Sequence, residues 1–352
     1  MKEPAIGGNA TLRDAVAAIE RARCLIAAVV AADGELLGIL SDGDIRRALL
    51  VGKSLDSPAA NAMTRSPITA RSNLGDQEIL HFLVSHGVAA APVVDGAGRF
   101  VRVAQTSDFR SPQAAPTGGE GYAAAVIMAG GEGRRLMPFT VDRPKPMIDI
   151  GGVPLLERQV RAIVGSGLRR IFISTNYLGH MIEQHFGDGS SLGAEIGYLR
   201  ERSKLGTAGA LSLLPTRPAG PLLVINGDIL TRSQFGTLLD YHKETDGFIT
   251  VAAVVHRVEI PFGVLRIEGS RATGLDEKPS ESFLCNAGMY VLRPEALDLI
   301  PEATSIDMTD VIGKAIAQGK NVSVFPIHEY WTDIGSPVDL ERALAEFSEA
   351  AS

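Results

Sequence analysis

The sequence predicts an α/β protein in two parts: a mostly parallel mixed sheet flanked by helices and, ahead of it, a smaller α+β module. Three observations carry this. Residues 1–110 hold one pattern of helix, strand, turn and strand twice over. Residues 111–121 are mainly small, Pro and Gly residues without apolar periodicity, the composition of a linker. Over residues 122–352, short apolar runs alternate with helical stretches, as a parallel sheet with crossover helices requires.

In the first half of the repeat, Val29-Val30 precedes Asp33-Gly34, an apolar strand over 36–40 and then Asp44. In the second half, Val93-Val94 precedes Asp95-Gly96, a strand over 100–104 and then Asp108. Each final Asp stands fourteen residues after the second Val. Thr11 and Asp14 have the spacing of a capping box for a helix whose Leu12, Val16 and Ile19 share a face. Asn73 is the expected cap of the second helix, with Leu74, Leu80, Leu83 and Val84 on its apolar side. Neither unit can bury its faces alone, so each is expected to pair with its copy.

In the second part, strands are expected at 123–128, 170–174, 222–225 and 250–255, and a helix at 155–164. Further helices at 304–316 and 337–347 read as packing elements. Ligands of such sheets bind beyond the carboxyl ends of the strands. Directly after the first strand comes Ala129-Gly130-Gly131-Glu132-Gly133-Arg134-Arg135-Leu136. Its glycines let backbone N–H groups come close to phosphates. The loop lacks the Gly-Lys-Ser/Thr ending of a Walker A motif, and Leu136 stands where a dinucleotide fingerprint needs Gly or Ala. Pro144-Lys145-Pro146-Met147 follows, so Arg135 supplies a planar fork and Lys145 a point charge near one phosphate site.

Composition narrows the partners. The 352 residues carry a net charge of −7 without a long basic run, which argues against a nucleic-acid partner. Two cysteines, Cys24 and Cys285, are too few for a disulfide framework. The N-terminus lacks the plan of a secretion signal and no apolar run is long enough to span a bilayer, so a cytoplasmic chain without a membrane partner is expected.

The repeat resembles a tandem CBS domain pair through Gly38-Ile39-Leu40-Ser41-Asp42-Gly43-Asp44. That resemblance implies a regulatory nucleotide with Ser41 facing a phosphate and Asp44 a ribose. In the second half, Arg102 and Gln105 replace the Gly and Ser while Asp108 remains, so at most one good site is implied. The other reading of Ser41 and Asp44 is a helix cap in a module that serves assembly, and a homo-oligomer is expected.

The Gly-Gly-x-Gly-x-Arg-Leu string with Pro-Lys-Pro-Met resembles the signature of the sugar nucleotidyltransferases. The resemblance implies a Rossmann-like sheet and Mg2+-dependent transfer of a nucleotidyl group from a nucleoside triphosphate to a sugar 1-phosphate. It assigns Ala129, Gly130, Gly131, Gly133, Gly206 and Thr207 to the nucleotide, and Arg135 and Lys145 to the phosphates. Asp228, at the end of Leu223-Val224-Ile225-Asn226-Gly227-Asp228, and Asp333, in Trp331-Thr332-Asp333-Ile334-Gly335, become the metal carboxylates; a hard cation bridging phosphates needs no more. Gly263, Glu277, Lys278 and Asn286 are implied for the sugar phosphate. Arg134 stands where the family often has Thr or Ser. The loop Leu205-Gly206-Thr207-Ala208-Gly209-Ala210 resembles the nucleotide-base loop of guanylyltransferases, and that resemblance, with the CBS fusion, implies GTP with glucosamine 1-phosphate, then mannose or heptose 1-phosphate. The competing class is a silent nucleotide-sugar-binding regulatory subunit; retention of Arg135, Lys145, Asp228 and Asp333 favours the enzyme.

Overall fold

The computed structural model of the chain describes residues 4–109 and 121–349, so the expected linker, Gly121 apart, lies outside the described residues. These residues form two units: 4–109 with 255–284, and 121–254 with 285–349.

The N-terminal repeat is built of β1 Ala5–Gly7, α1 Leu12–Ala22, β2 Ile26–Val30, β3 Leu36–Ser41 and α2 Asp42–Leu50, then β4 Ala70–Arg71, α3 Asp76–Ser85, β5 Ala90–Val94 and β6 Phe100–Gln105. Each half makes a three-stranded sheet with one parallel and one antiparallel pair, in the orders β1-β2-β3 and β4-β5-β6. Both antiparallel pairs shift register at the repeated dipeptide, between Val29 and Val30 and between Val93 and Val94. The copies pair with each other as expected. Gln105 accepts the Leu25 N–H at 3.2 Å and donates to the Arg23 carbonyl at 3.1 Å. The Leu36 N–H donates to Gly98 and the Phe100 N–H to Gly34.

The residues expected to bind a nucleotide in this repeat take part in helix-end hydrogen bonds. Thr11 and Asp14 form the predicted capping box of α1. Ser41 and Asp44 form the same box on α2: Asp44 Oδ2 accepts the Ser41 N–H at 2.8 Å and its hydroxyl at 2.7 Å, and Arg47 holds the other oxygen at 2.6 Å. Asp108 accepts the Gln105 N–H at 3.0 Å. All three carboxyl and hydroxyl groups are thus engaged locally. Asn73 is not the cap of α3. The helix begins later, where the Gly75 carbonyl accepts the Ile79 N–H and the Gly75 N–H donates to Glu78 at 2.8 Å, half a capping box.

The remaining elements are β7 Ala124–Met128, β8 Asp149–Ile150, β9 Val153–Pro154, α4 Leu155–Gly165, β10 Arg170–Thr175, α5 Gly179–Phe186, β11 Glu195–Arg200, α6 Gly206–Gly209, β12 Leu222–Asn226 and β13 Ile229–Thr231. They continue with α7 Phe235–Glu244, β14 Ile249–Glu259, β15 Val264–Glu268, β16 Arg271–Asp276, β17 Ser280–Leu292, α8 Met308–Ala317, β18 Val322–Ile327, β19 Trp331–Asp333 and α9 Pro337–Glu349. The central sheet runs β11-β10-β7-β12-β17-β14-β18, parallel through β11, β10, β7 and β12, and antiparallel between β12 and β17. This is the predicted mostly parallel mixed sheet. Its central strands β7 and β12 are apolar and buried, as strands covered on both faces are. Ile127 and Ile225 enter the core that holds Val160 and Ile163 of α4, while Val126 and Val224 enter the core that holds Met308 and Val311 of α8. The short ribbon β13–β19 pairs Ile229 with Asp333.

The segment 255–284, expected within the second domain, groups with the N-terminal repeat. There Val255 packs against the core containing Leu12 and Leu40. Arg257 lies 3.4 Å from Asp56, which also pairs with Arg13 at 3.0 Å. Among the described residues no helix is long and apolar enough to cross a membrane.

Removing the Ser41 cap should cost about 1 kcal/mol, whereas Asn73→Ala should stay within about 0.5 kcal/mol. Denaturant unfolding of Ser41→Ala and Asn73→Ala checks this; equal losses would contradict the cap assignment.

Candidate functional site

Four strands of the second unit end at one cavity of about 300 Å³. β7 delivers Ala129, Gly130 and Gly131; β10 ends beside it with Ser174; β11 leads to Glu201; β12 leads to Asn226, Gly227 and Asp228. Lys145, Lys204, Gly206 and Thr207 complete much of the wall. A second cavity of about 300 Å³ shares Thr207 and Asn226 and adds Asn286, Gly288, Tyr290 and Asp307.

The glycine loop is held open by specific contacts. Ser174 Oγ accepts the Ala129 N–H at 3.1 Å. A Cβ at Gly130 would stand 2.4 Å from Glu201 Oε1, so the loop passes the carboxylate only because that position has no side chain. Gly133 has φ +63 and lies where a Cβ would meet Lys145 Cβ at 2.8 Å, which lets the loop turn back over the lysine. Glu132 is tied to Arg134 and Lys204, each at 2.6 Å, and these bonds, that to Lys204 foremost, hold its carboxyl below the usual range.

The charged centre joins residues far apart in sequence. Lys145 Nζ donates to Asp228 Oδ2 at 2.5 Å, with the lysine almost wholly buried. The Asp228 carbonyl accepts the Ile334 N–H at 3.0 Å, and Asp333 pairs across the ribbon with Ile229, so the two carboxylates are neighbours. Burial, and then the Asp228 charge, raise the Asp333 pKa against the opposing pull of Lys145 and Arg135. Asp333 Oδ1 is buried and accepts no hydrogen bond from the described residues. A half-buried, repelling carboxylate pair with an unpaired buried oxygen has the donor set a hard divalent cation requires, so these residues fit one.

Other expected residues are placed as follows. Arg135 is exposed and acts on Asp333 through its charge. The Thr207 N–H and hydroxyl both reach Asp307 Oδ1, at 2.9 and 3.2 Å, anchoring its loop to the start of α8. Asn286 lines the second cavity, with its amide on Tyr290 at 2.9 Å and its oxygen on the Gly288 N–H at 2.9 Å. Gly263, Glu277 and Lys278 lie in the 255–284 segment of the first unit. Within it, a Cβ at Gly263 would stand 3.1 Å from Glu277 Oε2, and Lys278 adopts φ +45, uncommon for a residue with a side chain.

Glu201 is the principal residue that sequence reasoning missed. It is partly buried, and burial raises its pKa. Its Oε2 accepts the Leu205 N–H at 3.0 Å. The available signal was its place immediately after β11, at a strand's carboxyl end.

Asp333→Asn is expected to stabilise the metal-free protein at neutral pH. A carboxyl whose pKa is raised above its ordinary 3.8 keeps its proton more tightly in the fold than in the unfolded chain. Its contribution is therefore favourable at low pH and is lost as pH rises through the raised folded value. Thermal unfolding with chelator between about pH 4 and pH 8 should show this loss in the wild type and its reduction in Asp333→Asn; identical profiles would contradict it.

The nucleotidyl transferase family profile matches residues 124–350, and the CBS domain profile matches residues 1–51. The chain is 32% identical over 234 residues to mannose-1-phosphate guanylyltransferase of Mycobacterium tuberculosis (strain ATCC 25618 / H37Rv), covering 63% of this chain and 64% of that one. It is 31% identical over 224 residues to mannose-1-phosphate guanyltransferase of Saccharomyces cerevisiae (strain ATCC 204508 / S288c), covering 61% and 62%. It thus spans less than two thirds of the length of these relatives. The crystal structure of HddC from Yersinia pseudotuberculosis shares the fold, with 24% identity, a TM-score of 0.50, and coverage of 64% of this chain and 99% of that one. With more than half of its length matched, the chain belongs to the nucleotidyl transferase family and carries a CBS domain ahead of the matched region.

Proposed function

We propose that the chain transfers a guanylyl group from GTP to a sugar 1-phosphate, releasing pyrophosphate. The observation that carries this reading is the Asp228–Asp333 pair beside a glycine-walled cavity with Lys145 and Glu201. A guanine edge presents two adjacent donors, N1–H and N2–H, and one carboxylate can accept both. Glu201, on the cavity wall, offers such a carboxylate, which favours guanine over bases with a single donor. Both relatives are named for mannose 1-phosphate, which moves that acceptor ahead of glucosamine 1-phosphate, with heptose 1-phosphate after them.

A phosphate oxygen of the sugar 1-phosphate attacks the α-phosphorus, and the bond to the bridging oxygen of pyrophosphate breaks. The attacking phosphate is already largely ionised, so no protein base is needed. Lys145 and Arg135 offset the charge gathering on the departing pyrophosphate, and the glycine loop at 130–132 lines its path. Mg2+, held by Asp228 and Asp333, would neutralise charge on the α-phosphate. Gly263, Glu277, Lys278 and Asn286 remain proposed for the sugar phosphate on the family resemblance. The repeat, whose Ser41, Asp44 and Asp108 are engaged as caps, is proposed as a tandem module serving assembly.

The test is pyrophosphate release with Mg2+, the common nucleoside triphosphates and a panel of sugar 1-phosphates. Selective release with GTP is expected, and none with any pair would refute the reaction. Asp228→Asn should abolish turnover with the fold intact. Glu201→Gln should reduce the preference for GTP by about 1–3 kcal/mol, the value of a bidentate base contact, or roughly 5- to 150-fold; unchanged preference would remove Glu201 from base recognition.

A further inference from the structure

We propose that Gln159 is a positioning residue for the cation-binding turn, resting on the reading of Asp228 and Asp333 as metal carboxylates. Gln159 projects from α4, is 4% exposed, and lines neither of the two cavities described above. Its Nε2 donates to the Asn226 carbonyl at 2.9 Å and to the Ile229 carbonyl at 2.7 Å. One side-chain amide therefore holds both ends of the turn that carries Asp228.

The rest of the turn is held by backbone. The Gly227 N–H donates to Met128 at 2.9 Å and the Asp228 carbonyl accepts the Ile334 N–H at 3.0 Å. Four successive residues, 226–229, thus each have a backbone group fixed, two of them by Gln159. Two carbonyl acceptors demand an NH2 group, which fixes the orientation of the amide. A glutamate at 159 would set a carboxylate against two carbonyls, and a methionine would leave both carbonyls buried and unpaired.

The clamp matters because its load is electrostatic. Asp228 and Asp333 repel, so a turn free to relax would move them apart and lose the shared site. α4 is anchored by Leu156 and Ile163 in the core, so the clamp stands on a rigid support. Partners that orient metal ligands are typically worth 10- to 100-fold in metal affinity or activity.

The test is Mn2+ binding to the full chain, with free Mn2+ counted by electron paramagnetic resonance, alongside the Mg2+ dependence of pyrophosphate release. Gln159→Met should weaken Mn2+ about 10-fold or more and shift the Mg2+ requirement upward by a similar factor. Val160→Ala, in the same helix and fully buried, should lower the melting temperature while leaving both metal readouts near wild type. If Gln159→Met does not fold, Gln159→Asn, one methylene shorter, should give a smaller weakening of the same kind. Wild-type binding that the Gln159 variants leave unchanged overturns the clamp alone. Equal weakening by Val160→Ala also overturns it, since a general loss of stability would then suffice. Absence of Mn2+ binding by the wild type overturns the metal reading itself, and the clamp with it.

Discussion

Asp228 and Asp333 stand side by side although their charges repel, and their surroundings in the second unit are organised around that repulsion. The ribbon β13–β19 brings them together, the Ile334 N–H fastens the backbone of one to the strand of the other, and Lys145 supplies a buried counter-charge. Lys145 does not remove the conflict, because burial and Asp228 together still hold the Asp333 pKa up. The unfavourable term that remains is one that a divalent ion would relieve.

The sheet explains why the other functional groups gather there. β7, β10, β11 and β12 are parallel neighbours, so their carboxyl ends open on the same edge. That edge receives the glycine loop, Ser174, Glu201 and Asp228 from four separate stretches of sequence. Close approach does the rest. Glu201 occupies the space that a side chain at Gly130 would need, and Lys145 occupies that of Gly133, so both glycines are sites of contact as well as turns.

Much of this was legible in the sequence, for identifiable reasons. The strands over 124–128, 170–175 and 222–226 are apolar and bounded by turn residues, so they could be read directly. The capping boxes at Thr11 and Ser41 are local and follow from spacing alone. Asn73 misled because Gly75, which has no side-chain oxygen, occupies the cap position instead, supported by Glu78. Glu201 sits in the charged run Arg200-Glu201-Arg202, where nothing local separates a base ligand from a solvated surface. The adjacency of Asp228 and Asp333 depends on a two-strand ribbon between distant segments, which no spacing encodes. The grouping of 255–284 with the N-terminal repeat likewise rests on tertiary contacts at Val255 and Arg257.

The most direct measurement is anomalous diffraction from crystals of the chain grown with Mn2+ and a non-hydrolysable GTP analogue. One manganese peak contacting both Asp228 and Asp333, with the guanine edge on Glu201, is the predicted result. A nucleotide bound in the cavity with Lys145 still on Asp228 and no metal at the carboxylates would contradict the central claim.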